Sequence, residues 1–205
     1  MVPSPSPALL AALERARTLG VLGPGPIDAH IAHAVGFVDA LVSVPGGALV
    51  VDMGSGGGVP GLVVAEARPD LRVVLLDAME KRTALLDDAV VAMAMADRVR
   101  VVTGRAEILG RDDELRGTAA VVTARSFGPP AATAECAAPL LAIGGLLVVS
   151  EPPDGPDRWP SVELAALGME PTDIEVPGMM VLRQAALCPE TYPRRNGLPA
   201  KRPLF

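Results

Sequence analysis

The sequence predicts an α/β protein on a mostly parallel sheet, and three observations carry that prediction. From Ala48 onward short apolar runs alternate with helix-length segments, the pattern of parallel strands joined by crossover helices. The first run is followed by Gly54, Gly56 and Gly58, a turn whose glycines permit φ > 0 and leave no Cβ between main chain and a ligand. Near the end, Pro177-Gly178 separates two strand-like runs, so the last strand returns antiparallel.

Taken in order, Ala8 to Leu19 has helix-forming composition and is stopped by Gly23-Pro24-Gly25-Pro26. A second helix is expected over Ile27 to Val42, with Ile31, Val35, Val38 and Val42 at helical spacing towards the sheet. His30 and His33 stand three apart on it. With no third ligand in sight they read as surface or hydrogen-bonded histidines, and no metal is expected.

The first strand, Ala48 to Val51, ends at Asp52, and Pro60 suits the first turn of the helix after the glycines, which runs to about Arg68-Pro69. Arg72 to Leu76 is the second strand, with Asp77 at its carboxyl end. The helix Met79 to Met95 turns Leu85, Leu86, Ala89, Val90 and Met93 inward. Strand three is Val99 to Thr103, and Gly104-Arg105-Ala106-Glu107 opens a helix whose Glu complements the dipole.

Asp112, Asp113 and Glu114 form a solvated loop before the fourth strand, Ala119 to Ala124, which runs into Arg125-Ser126-Phe127. A helix Ala131 to Leu141, a turn at Gly144-Gly145 and a strand Leu146 to Val149 follow. Glu151 to Pro160 is a Pro/Asp/Gly loop and Ser161 to Leu167 a short helix. Glu170 to Val176 and Met179 to Gln184 form the hairpin, which brings the sheet to seven strands.

Half of the 205 residues are apolar, enough for a sizeable core, and the length favours one domain. With only three Phe, one Trp and one Tyr, the core must be built of Ala, Val and Leu, so any aromatic near a site is informative. Cys136 and Cys188 lack metal-ligand spacing and read as reduced cytosolic thiols. Met1 to Pro7 has no cationic start or long apolar run, so no signal peptide is expected, and no stretch approaches a membrane span. A net charge of −6 counts against a polyanionic partner, yet residues 191–205 hold Arg194, Arg195, Lys201 and Arg202 without one acidic residue.

A glycine turn between strand and helix marks a nucleotide-cofactor site, and spacing decides the kind. Gly56 to Gly61 satisfies the dinucleotide fingerprint, with Asp77 at about the distance of a ribose-binding carboxylate. In that fingerprint the glycines follow the strand at once, so that pyrophosphate can sit on the helix N-terminus. Here Asp52 and Gly54 come first. A carboxylate there repels pyrophosphate but can help hold a cationic ligand such as an ammonium group. Asp77 is assigned to ribose hydroxyls.

The pattern Asp52-x-Gly54-Ser55-Gly56-x-Gly58-Val59-Pro60-Gly61 resembles motif I of class I S-adenosylmethionine-dependent methyltransferases. Leu76-Asp77, Lys81-Arg82, Ala106-Glu107, Arg125 with Phe127, and the tail Tyr192 to Leu204 extend the likeness to the RsmG (GidB) family, from about Ile27 to the C-terminus. The resemblance implies a Rossmann-like fold and methylation of guanine N7 in small-subunit ribosomal RNA. It implies an arrangement of an N-terminal arm and helices (1–45), a cofactor-binding domain (46–190) and a basic tail (191–205), all in one globular domain. It places Asp52, Gly54, Gly56, Gly58, Val59, Asp77, Ala106, Glu107 and Arg125 at S-adenosylmethionine, and His33, Arg194, Arg195, Lys201 and Arg202 at the RNA. A cytoplasmic monomer acting on ribosomal RNA or the small ribosomal subunit, away from membranes, is the matching expectation.

Methyl transfer is mostly positioning, with acceptor and methyl held about 3 to 3.5 Å apart. Guanine N7 carries its own lone pair and needs no general base; only His30 and His33 are of a residue type that could serve as one without a large shift, which favours a nitrogen acceptor. An Arg forked onto guanine O6 and N7 would occupy that lone pair, so Arg125 is assigned to the cofactor carboxylate, to O6 alone or to a phosphate. Phe127 either stacks on an extruded base or packs in the core. These two are the candidate catalytic residues.

Three features depart from the family pattern: a short N-terminal region, the acidic total charge, and Ser150-Glu151-Pro152-Pro153 where the family tends to carry a lysine. Exchanging a cation for an anion at that rim should weaken RNA binding in a salt-dependent way. The rival readings are a diverged paralogue acting on a small molecule or another RNA, a non-catalytic cofactor-binding module and, more distantly, a NAD-dependent dehydrogenase.

Overall fold

The computed structural model describes residues 4–152 and 158–205. The first three residues of the N-terminal arm and residues 153–157 of the Glu151 to Pro160 loop lie outside the described residues. Helix α1 (Pro7–Thr18) starts where Ser6 Oγ accepts the Leu9 N–H at 3.1 Å. Helix α2 (Ile27–Ala40) follows. Then come β1 (Leu49–Met53), α3 (Gly61–Ala67), β2 (Arg72–Asp77), α4 (Glu80–Ala92), β3 (Val99–Thr103), α5 (Ala106–Leu109) and β4 (Ala119–Ala124). Helix α6 (Pro130–Ala137) leads through a 3-10 turn into β5 (Leu141–Ser150), followed by α7 (Ser161–Ala166), β6 (Met169–Pro171), β7 (Met179–Gln184) and α8 (Leu198–Lys201).

The seven strands lie in the order β3-β2-β1-β4-β5-β7-β6, with the first five parallel and β7 antiparallel to both neighbours. Successive side chains of a strand point to opposite faces, so each strand feeds two cores. Val50, Val73, Leu75, Val121 and Val148 pack under α1 to α4. Val51, Val74, Leu76, Val122 and Leu147 pack on the other face with α6, α7 and the C-terminal residues Leu204 and Phe205. Burial on both faces explains why these strands read as unbroken apolar runs.

Several expectations need correction. The buried face of α2 is Ile31, Ala34, Phe37 and Ala40; Val38 packs half-buried against the same core as expected, Val35 is half-buried, and Val42 is 83% exposed. The helix ends at Ala40, so Val42 lies beyond it, and the bulky Phe37 ring takes the position against the core. Helix α4 stops at Ala92, short of the expected Met95, while Met93 just beyond it still packs half-buried against the core. Gly144-Gly145 does not precede β5 but bulges within it: Ala119 pairs with Leu141 and Val121 with Leu146, and Gly144 takes φ +83°. β6 is cut short at Pro171, which lacks an N–H for the ladder.

The registers gather the chemistry. Asp52 pairs with Leu75 and Thr123, and Asp77 with Thr103, which brings the carboxyl ends of β1 to β4 together. Ala124 pairs with Val149, so Arg125 and Glu151 leave adjacent strands on the same rim. That rim is where open α/β sheets bind ligands.

Candidate active site

The glycine turn is held from below. The Gly54 and Ser55 N–H groups donate to Leu76 O at 2.8 and 2.9 Å, and Ser55 Oγ donates to Asp52 O at 2.8 Å. Asp52 is 1% exposed; its Oδ1 accepts from Thr123 Oγ1 at 2.7 Å and its Oδ2 from the Gly61 N–H at 3.1 Å. Burial raises the Asp52 carboxyl to about 6, although Thr123, Ser55, Gly61 and the charge of Arg125 pull the other way. A Cβ on Gly61 would stand 2.5 Å from Asp52 Oδ2, which is why only glycine fits there. Asp77 ties the turn to the neighbouring strand: Oδ2 accepts the Gly56 N–H and Oδ1 the Met79 N–H, both at 2.9 Å.

Two cavities open on this rim. One of about 260 Å³ is lined by Gly54, Leu76, Ala78, Ala106, Glu107 and Phe127, and closed by Pro199 and Ala200 of the tail. The other, about 650 Å³, is lined by His30, His33, Arg125, Glu151, Arg158 and Trp159. Phe127 and Gly128 belong to both. The Phe127 ring rests on Gly54, where an added Cβ would lie 2.8 Å from Phe127 Cδ2. A third cavity, also about 650 Å³, opens at the amino ends of β2 and β3, but it mixes Arg72, Arg98 and Arg100 with Asp87, Asp97 and Glu114 and lies away from the rim.

Between Arg125 and Phe127, Ser126 takes φ +54°, a left-handed conformation uncommon outside glycine. Of the two rim cavities, Arg125 lines only the larger. Its Nη1 is 3.1 Å from His30 Nδ1, and His30 Nε2 is 3.0 Å from Gly23 O. A guanidinium only donates, so Nδ1 accepts, and the ring proton sits on Nε2 and donates to Gly23. Both nitrogens of His30 are therefore engaged. The His33 imidazole is lowered by burial and by Arg125 and His30 beside it, and burial also lowers Arg125. Glu151 Oε2 accepts from Arg158 Nη1 at 3.0 Å.

The tail is docked rather than loose. Glu135 of α6 is fully buried and receives the Arg194 N–H and Nε at 2.8 Å each and Nη2 at 2.6 Å. Glu107 Oε1 accepts the Gly197 N–H at 3.0 Å. Arg111 donates to Pro193 O at 2.6 Å, and Arg116 to Tyr192 O at 2.9 Å and Cys188 O at 3.1 Å.

Residues 27–151 match the model of the GidB family, rRNA small subunit methyltransferase G. A ribosomal RNA small subunit methyltransferase G of Roseiflexus castenholzii is 36% identical, over 76% of this chain and 70% of its own. The Deinococcus radiodurans protein of the same name is 33% identical over 82% and 73%. In fold, the chain is similar to a methyltransferase from Geobacter sulfurreducens, with a TM-score of 0.61 at 18% identity over 89% of this chain and 91% of that one.

The chain belongs to the rRNA small subunit methyltransferase G family. Membership makes it an enzyme of the S-adenosylmethionine-dependent methyltransferase class. The smaller cavity suits that cofactor: Leu76, Ala78, Ala106, Ala132 and Phe127 offer apolar walls to a purine, and Gly54 brings bare backbone to the mouth.

Of the residues assigned to the cofactor, Gly54, Ala106 and Glu107 line this cavity. Gly56 is bound by Asp77, and a Cβ on Gly58 would meet Leu62 at 2.5 Å. Val59 is buried in the core, and Asp52 and Asp77 lie beneath the turn. Arg125 and His33 stand together on the larger cavity with Phe127. Arg195, Lys201 and Arg202 are exposed on the tail, whereas Arg194 turns inward to Glu135.

Sequence reasoning missed Glu135, Arg111, Arg116, Arg158 and the link from His30 to Arg125. Glu135 carried a signal: it is the one charge in the run 130–143, apolar but for Thr133, where a buried carboxylate requires a cation. Arg111 and Arg116 are bonded to main-chain carbonyls, which no residue pattern announces.

Proposed function

We propose that this methyltransferase transfers the methyl group of S-adenosylmethionine to N7 of a guanine in small-subunit ribosomal RNA. The observation that carries the reading is the junction of the two cavities at Phe127 and Gly54, one side apolar and purine-sized in character, the other lined by Arg125, Arg158 and two histidines. The bound cofactor supplies an electrophilic sulfonium methyl. Gly54 lets the backbone approach it closely, Asp77 offers ribose hydroxyls the lone pairs left free by the Gly56 and Met79 N–H groups and by Arg82, and the tail shields the adenine end.

On the acceptor side no base is required, because N7 attacks with its own lone pair. His30, bonded at both ring nitrogens, fits that chemistry by holding Arg125 instead of moving a proton. Arg125 then keeps N–H donors for O6 or a backbone phosphate, and Phe127 gives the extruded base a stacking face. Arg195, Lys201 and Arg202 add exposed cations for RNA. The ion pair to Arg158 offsets the Glu151 charge, so the anion expected to weaken RNA binding comes with a compensating cation on the same wall.

The chain is proposed to act in the cytoplasm as a monomer, in keeping with its free thiols Cys136 and Cys188; light scattering of the purified protein checks the second point. Calorimetry with S-adenosylmethionine and with NAD tests the cofactor. Tight binding of the first and none of the second is expected, and the reverse would return the dehydrogenase reading.

A further inference from the structure

Glu151 is the one carboxylate among the described residues lining the acceptor-side cavity. It stands one residue past β5, its backbone fixed by a 2.8 Å hydrogen bond from its N–H to Gly178 O. Its side chain is 17% exposed, and Arg158 Nη1 holds Oε2 at 3.0 Å. A carboxylate so anchored at both ends presents a fixed direction. It has about four acceptor positions, of which the recorded contact uses one.

We propose that Glu151, oriented by Arg158, reads the Watson–Crick edge of the target guanine. Guanine presents two adjacent donors there, N1–H and the N2 amino group, which match the two oxygens of a carboxylate. Adenine and cytosine each place an acceptor beside a single donor group, and uracil flanks one N–H with two carbonyls, so none of them satisfies a carboxylate in the same way. Bases drawn from the stack are commonly read on this edge. The contact also solves a problem of the reaction: N7 lies on the opposite side of the purine, so a reader on the Watson–Crick edge leaves the attacking lone pair open.

The rim supports the arrangement. Ala124 and Val149 are partners in the sheet, so Arg125 and Glu151 leave neighbouring strands about 4.8 Å apart and wall the same cavity. A base resting on Phe127 would have one edge towards Glu151 and another towards Gly54 and the cofactor side. The anion at this rim is thereby a source of selectivity for guanine.

The inference rests on the proposed acceptor and is tested on it. Small ribosomal subunits lacking the N7 mark are reconstituted with RNA carrying guanosine or inosine at the methylated position. Inosine keeps N7, O6 and N1–H but lacks the N2 amino group. The wild type should prefer guanosine by about tenfold to a hundredfold in kcat/KM, the loss of one hydrogen bond to a charged group. Glu151→Gln should lower activity on guanosine and shrink the preference to within about threefold, with cofactor Kd unchanged. Arg158→Ala should keep part of the preference, because the carboxylate remains. Equal rates on the two RNAs with the wild type, or a preference undiminished in Glu151→Gln, would overturn the proposal. Transfer to neither RNA by the wild type would overturn the acceptor reading itself, and this one with it.

Discussion

Arg194→Ala should destabilise the fold and loosen the cofactor, and should do both more strongly than it weakens RNA binding. Three donors of Arg194 converge on Glu135, which has no solvent access, while Arg194 itself is 24% exposed. The backbone N–H survives the substitution but the guanidinium does not, so a buried carboxylate is left without its cation. Breaking a buried pair from one side costs about 3–5 kcal/mol. For a chain of this size each kcal/mol moves Tm by about 2–4 °C, so a fall on the order of 10 °C is expected. Chemical denaturation and a thermal scan measure it. Because Pro199 and Ala200 close the cavity proposed for the cofactor, calorimetry should also find S-adenosylmethionine bound at least tenfold more weakly. Adding Glu135→Gln to Arg194→Ala should recover part of the stability, since the unpaired charge is removed. A loss below about 1 kcal/mol with unchanged cofactor Kd and a reduced salt slope for RNA would refute the reasoning and return Arg194 to the RNA-binding role suggested by the sequence.

Three further outcomes follow from the rim. The Asp52 carboxyl, raised to about 6 in the folded state from near 4 unfolded, contributes stability that is present below pH 4 and is lost as pH rises through 6, by about 3 kcal/mol. In Asp52→Asn that fall between pH 4 and 7 should be absent from denaturant midpoints taken across the range. Gly54→Ala must accommodate a methyl 2.8 Å from Phe127 at φ +78°, so it should weaken cofactor binding tenfold or more. Gly47→Ala, at φ +79° with open space around it, carries the backbone strain alone and should leave cofactor Kd unchanged. His30→Ala, which frees Arg125, should lower kcat/KM about tenfold with cofactor Kd intact, and His30→Gln should recover part of it by again accepting from the guanidinium.

The sheet was legible because the central strands are covered on both faces and so read as near-continuous apolar runs, and because Gly54 to Gly61 permits a tight turn into a helix. The elements misjudged were those whose limits are set by packing. Val42 continued the helical spacing of α2, yet the helix ends before it, and Phe37, not among the expected inward residues, is buried in the core beside the half-buried Val38. Gly144 and Gly145 announced a turn, and whether that turn stands between elements or bulges within one depends on the register with β4. At the site, residue types pointed to the carboxyl rim of the sheet but not to the partners each side chain has there. Arg194 and Arg195 are adjacent and chemically alike; one faces a buried carboxylate and the other solvent, and only the position of Glu135 distinguishes them. Asp52 read as a carboxylate able to help hold a cationic ligand, and no spacing announced that Thr123 and Gly61 bond its two oxygens. Glu151 read as an isolated anion because Arg158, across the intervening loop, could not be paired with it by spacing.

The most direct test is transfer of labelled methyl from S-adenosylmethionine to small ribosomal subunits lacking the N7 mark, with cofactor binding measured by calorimetry on the same preparation. Incorporation at N7 of a single guanine is the predicted result. Normal cofactor binding with no label in the RNA would contradict the account and move the acceptor to a small molecule or a different RNA.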